Sequence, residues 1–80
     1  MNPPTFPKQI LKKGQLHPDG LILSVNWEKM EVGASVFIPC VNSSLAVVQV
    51  KKFFSTKKWR MVFEVRIENL YFGVRIWRTL

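Results

Sequence analysis

WRMVFEVRIE, residues 59–68, decides how the rest of the chain is read. Trp59, Met61, Phe63, Val65 and Ile67 alternate with Arg60, Val62, Glu64, Arg66 and Glu68. A period of two is that of a strand with one face buried. Downstream, GVRIWRTL at 73–80 alternates again, Val74 and Ile76 against Arg75 and Trp77. With NLYF as the intervening loop, the two runs predict an antiparallel β-hairpin. Residues paired across a hairpin share a face, so a register with Glu68 opposite Gly73 collects Phe63, Val65, Ile67, Val74 and Ile76 on a core face. The other face then sets Arg66 opposite Arg75 and Glu64 opposite Trp77. Like charges in that position repel unless Glu64 and Glu68 neutralise them diagonally or an anion lies between them.

Upstream, residues 42–57, NSSLAVVQVKKFFSTK, open on helix-capping side chains and close on lysines, which suit a helix C-terminus. At 100° per residue Ala46, Val47, Val50, Phe53 and Phe54 share one face, while Ser44, Val48, Lys51, Lys52 and Ser55 lie on or near the other. The pattern predicts an amphipathic helix over 43–57. Its three valines lose rotamer freedom in a helix, so LAVVQV also reads as a strand. ASVFIP at 34–39 predicts a strand stopped by Pro39, and LILSV at 21–25, after the Asp19-Gly20 turn signal, a shorter one. Four of the five prolines fall within residues 1–18, where they withhold backbone donors from helix and sheet. That segment reads as a basic, mobile or loosely docked arm that Ile10 and Leu11 could pin to the body.

The expected architecture is therefore an arm at 1–18 and a single α+β domain at 19–80. The domain is a small antiparallel sheet of three or four strands with one helix packed on one face, in ββαββ or βαββ order. Eighty residues leave no room for a second core, and at this size self-association can supplement burial.

Twelve Lys and Arg stand against five Asp and Glu, a net charge of +7. Eight of the basic residues but only two of the acidic ones, Glu64 and Glu68, lie in 51–80. Such asymmetry points to a polyanionic partner, with nucleic acid first, then an acidic protein surface, then anionic lipid; a solvated basic surface is the plain alternative. The cations are interleaved with aromatics: Lys51, Lys52, Lys57, Lys58, Arg60, Arg66, Arg75 and Arg78 are candidates for phosphate, and Trp77, on the arginine parity, for stacking on a base. Phe53, Phe54 and Trp59 fall on apolar parities and belong to the core.

Catalytic signatures are absent. His17 is the only histidine, Cys40 the only cysteine, and Ser35 lacks the second glycine of a nucleophile elbow. No glycine-rich phosphate loop and no metal-ligand spacing occurs, so no enzyme activity, metal or cofactor is expected. Cys40 reads as a small buried hydrophobe. A lone cysteine, no apolar leader and no run long enough to span a bilayer fit a reducing cytosol and no membrane partner.

Trp27-Glu28-Lys29-Met30-Glu31-Val32-Gly33-Ala34-Ser35-Val36-Phe37-Ile38-Pro39, the following helix and the closing Gly73-Val74-Arg75-Ile76-Trp77-Arg78 resemble small tailed-bacteriophage proteins of an uncharacterised domain family. Its members carry MxVGxSFxVP, then a basic helix, a strand and G.RVWR at the end. The resemblance spans residues 26–79. It implies a phage gene product acting in the bacterial host's cytoplasm and names no activity. The strand after the helix is basic and polar in that group, whereas MVFEVRIENLYF at 61–72 is apolar, which favours protein contact or self-association. The leading expectation is a non-catalytic phage protein that binds nucleic acid, DNA ranked ahead of RNA. The alternatives are one that binds and inhibits or redirects a host protein, and a virion or assembly component; a homo-oligomer is compatible with all three.

Overall fold

A computed structural model describes residues 14–80; of the expected arm, residues 1–13, with Ile10 and Leu11, lie outside the described residues. The chain runs through a single 3-10 turn (Trp27–Lys29), β1 (Ser35–Pro39), α1 (Ser43–Lys57), β2 (Met61–Glu68) and β3 (Tyr71–Arg78). The three strands form one antiparallel sheet in the order β1-β3-β2, so the last strand occupies the centre. This is a small α+β fold with one helix on one face.

The helix forms where capping and periodicity predict it, valines included. Asn42 is its N-cap, the side-chain oxygen accepting from the Leu45 N–H at 3.1 Å. The Asp19 carboxylate adds two bonds that sequence reading missed, accepting from the Val41 and Asn42 N–H groups at 2.8 Å each. At the other end Lys58 adopts a left-handed conformation (φ 59°), and its N–H caps the Phe54 and Ser55 carbonyls. Ala46, Val47, Val50, Phe53 and Phe54 are all buried, on the face their spacing marks out. Phe54 packs edge-on against Trp27 (5.5 Å) and Trp59 (5.4 Å), and Phe53 stacks on Trp27 at 5.1 Å. Burying one such side chain stabilises by about 1.5–3 kcal/mol.

Two expectations are corrected. LILSV at 21–25 is not a strand of the sheet; among the described residues its ladder contact is one isolated bridge, Leu16 to Leu23. The remaining arm residues provide that partner: Leu16 is 1% exposed, Gly14 accepts from the Trp27 indole N–H at 2.7 Å, and the His17 N–H donates to Gln49 Oε1 at 2.9 Å. Residues 21–25 thus stay outside the sheet, which has three strands, the smaller of the two expected numbers, in βαββ order.

The hairpin register is also shifted. Asn69 and Leu70 both have positive φ (50° and 68°) and form a two-residue turn of the kind whose twist matches paired strands. Glu68 therefore pairs with Tyr71, Arg66 with Gly73, Glu64 with Arg75 and Val62 with Trp77. The slip is two residues, which preserves parity: Val65 now pairs with Val74 and Phe63 with Ile76 on the helix side. Of the expected core face only Val74 and Ile76 are buried; Phe63, Val65 and Ile67 stay exposed, because β2 lies at the edge of the sheet beyond the reach of α1. What changes is that Arg66 and Arg75 are no longer opposite each other.

Gly73 does not end a loop but lies inside the sheet, paired with Pro39 on one side and Arg66 on the other. A Cβ there would collide with the Ile38 carbonyl oxygen and come within 2.7 Å of the Phe37 ring. Backbone cannot yield as a flexible side chain can, so Gly73→Ala is expected to destabilise by about 1–3 kcal/mol, the usual cost of overpacking. Urea unfolding followed by tryptophan fluorescence measures it; an unchanged midpoint would contradict the close approach.

Candidate functional site

The pleat divides the expected binding residues between two surfaces. Arg66, Arg75 and Trp77 share the sheet face opposite α1 with Ser35, Phe37, Val62, Glu64 and Glu68. No helix covers this face among the described residues. Trp77 is half-buried on it, 6.0 Å from the Arg66 guanidinium. Arg78, of opposite parity, lies on the helix side.

Arg75 is anchored rather than free. Its Nε and Nη2 donate to the two Glu68 carboxylate oxygens at 2.6 Å each, and Nη1 donates to Ser35 Oγ at 2.7 Å. One guanidinium thus ties all three strands together, the two-pronged geometry that makes arginine–carboxylate pairs strong. Glu68 lies 3.8 Å from Arg66 Nε and Glu64 3.9 Å, so this face carries two cations and two anions. The neutralisation expected of the glutamates is present, but through the shifted register and with Arg75 as its centre.

Arg78 is equally committed. Its guanidinium stacks 3.9 Å over Trp59, Nη1 donates to the Met30 carbonyl at 2.8 Å and Nε to the Leu80 carbonyl at 2.9 Å. It joins β3 to the 3-10 turn. The adjacent groove, about 410 Å³, is lined by Lys57 and Arg78 but also by Glu28 and Glu31, so its charge is balanced.

The remaining candidates gather around the second half of α1 and its exit. Lys51, Lys52, Lys57, Lys58 and Arg60 are all exposed, and among the described residues none has an acidic partner. Lys51 Nζ lies 5.6 Å from the Phe63 ring and Lys57 Nζ 5.9 Å from Phe53, their stems covering apolar surface. Lys57 and Lys58 also complement the helix dipole, an ordinary structural reason for their position.

Cys40 is buried, and its thiol pKa is pushed up, first by burial and second by the Asp19 carboxylate. That favours the neutral thiol over the reactive thiolate. No group of three or more His, Cys, Asp or Glu among the described residues could hold a metal.

Comparison with known family models, curated proteins and solved structures finds no match.

The Arg75 hydrogen bonds, more than the nearby charges of Arg75 and Arg66, hold the Glu68 pKa below its ordinary value of 4.5. A carboxylate depressed in the folded state contributes stability that is present above its unfolded value and lost as pH falls through the folded one. The urea midpoint should therefore be steady above about pH 5 and decline progressively below pH 4.5. Glu68→Gln should lower the plateau and flatten the decline; a variant whose pH profile parallels the parent would remove Glu68 from this role.

Proposed function

We propose that the protein is a non-catalytic binding module whose partner is nucleic acid. Its phosphate-contacting surface is the cluster Lys51, Lys52, Lys57, Lys58 and Arg60. One observation carries this reading: both acidic residues of the C-terminal half lie beside Arg66 and Arg75, while among the described residues none of the five cations around the end of α1 forms an ion pair, although Lys57 shares its groove with Glu28 and Glu31. Unpaired, exposed cations condense against phosphate and release counterions, a driving force that needs no base contact. Trp77 and Phe37 offer apolar rings on the open sheet face, and Arg66 lies between that indole and the two glutamates. That face is the secondary surface, suited to stacking with single strands rather than to phosphate attraction. The tailed-phage resemblance supports a setting in the cytoplasm of a bacterial host. No described helix is long and apolar enough to cross a membrane.

Fluorescence anisotropy with single-stranded DNA, duplex DNA and RNA should show binding at about 50 mM salt that weakens linearly in log affinity against log salt. Replacing Lys51, Lys52, Lys57, Lys58 or Arg60 by Gln should reduce the slope by about 0.7 to 0.9 per lost phosphate contact. Arg75→Gln should cost stability while leaving the slope nearly unchanged. Absence of binding at tens of micromolar protein in that low salt sinks the proposal. Nuclease-insensitive, stoichiometric capture of one host protein would then replace nucleic acid with a protein partner.

A further inference from the structure

The two edges of the sheet are built differently. β1 is five residues long and ends in Pro39, features that blunt an edge. β2 is eight residues long, contains no proline, and pairs with β3 in unbroken register from Met61 to Glu68. Its apolar side chains are uncovered on both faces: Val62 is 54% exposed, Phe63 45%, Val65 46% and Ile67 70%. α1 packs against β2 and β3 yet leaves a groove of about 250 Å³ between Ser43, Ser44, Val47 and the outer pair Phe63 and Val65.

The backbone of β2 can be assigned its free groups. Arg78 N–H donates to Ala34 and Cys40 N–H donates to the Phe72 carbonyl, so the even residues of β3 bond to β1. Hydrogen-bonded and non-bonded pairs alternate along an antiparallel ladder, which directs the odd residues Tyr71, Gly73, Arg75 and Trp77 to β2. Their partners there are Glu68, Arg66, Glu64 and Val62, and Thr79 N–H to the Arg60 carbonyl continues the series. The N–H and C=O groups of Met61, Phe63, Val65 and Ile67 consequently point outward.

We infer that β2 pairs with β2 of a second copy, antiparallel, about a two-fold axis at Val65. The inference stands independently of the nucleic-acid reading. Outward groups on odd residues require odd-to-odd hydrogen-bonded pairing, which leaves only a few registers. A centre at Val65 sets Phe63 against Ile67 of the other copy on the helix side. On the open face it sets Glu64 against Arg66 of the other copy, and Arg66 against its Glu64. These are non-bonded pairs, the closer kind at about 4.5 Å between Cα atoms. A centre at Glu64 opposes that glutamate to itself; one at Arg66 opposes arginine to arginine and Glu64 to Glu68; one at Phe63 opposes Arg66 to Arg60. Like charges directly opposite destabilise a ladder. A centre at Ile67 shortens the overlap to a few residues before the turn. Of the two longest registers, the edge is thus charge-complementary to itself in the one centred at Val65, the self-complementarity that a two-fold interface requires. The product is a six-stranded sheet, β1-β3-β2-β2-β3-β1, with both helices and both lysine clusters on one side.

Sedimentation equilibrium of the full chain should give twice the 9.3 kDa chain mass, with a concentration-dependent fall to monomer. In a Cys40→Ala background, Val65→Cys should form an interchain disulfide under mild oxidation, because a hydrogen-bonded pair sets Cα atoms about 5.5 Å apart, within the span of a disulfide. Phe63→Cys mixed with Ile67→Cys should also cross-link, and Ile67→Cys alone should not. Val65→Pro removes only an outward N–H and should yield a folded monomer. A chain that stays monomeric throughout overturns the inference, as do Ile67→Cys or Arg66→Cys linking to themselves in place of Val65→Cys, or a folded Val65→Pro dimer. If Val65→Pro fails to fold, the cysteine series decides.

Discussion

Where β3 passes β1, the Ile38 carbonyl fills the space that a side chain at Gly73 would need. That approach lets the last strand of the chain enter between β1 and β2, with Val74 and Ile76 fully buried beneath α1. From it follows most of the remaining arrangement. The central strand carries Arg75 on one face, in reach of Ser35 on β1 and Glu68 on β2, and Arg78 on the other, in reach of Trp59 and Met30. The two arginines therefore act as clips on opposite faces of one strand.

Committing these arginines changes what the positive charge can do. A guanidinium already shared between a carboxylate and a hydroxyl would have to surrender both to bind phosphate. The lysines at the end of α1 form no ion pair among the described residues, so a partner's phosphate would displace no carboxylate from them. The basic excess read along the chain thus separates into a structural part within the sheet and an available part on the helix. This division moves the proposed contact surface away from the closing strand.

Placing β3 at the centre also makes β2 an edge. The α1 ridge of Ala46, Val47, Val50, Phe53 and Phe54 is wide enough to bury the central strand, but Phe63, Val65 and Ile67 remain uncovered beyond it. In a domain of this size, apolar surface left outside a small core is the usual substrate of self-association. The proposed two-fold pairing would extend the same layer outward and align two helices, so that the proposed phosphate-contacting surface would double without any new element.

Local sequence determined whatever depends on a short period or a neighbouring residue. The helix, its five buried positions and the shared helix-side parity of Val65, Val74 and Ile76 follow from spacing, because 3.6 and 2 are properties of the backbone; that a capping residue opens the helix follows from its composition. The turn was harder to read because Asn69-Leu70 adopts left-handed backbone without a glycine, while Gly73, three residues past the turn, looked like its end. Only the tertiary structure decided which strand lies at the centre, that Leu23 bridges to Leu16 rather than joining the sheet, and which arginines are bound. Each of these depends on a partner that a period of two or 3.6 does not specify, Ile38 for Gly73, Leu16 for Leu23, Met30 for Arg78, and spacing carries no information about such partners until the chain has closed on itself.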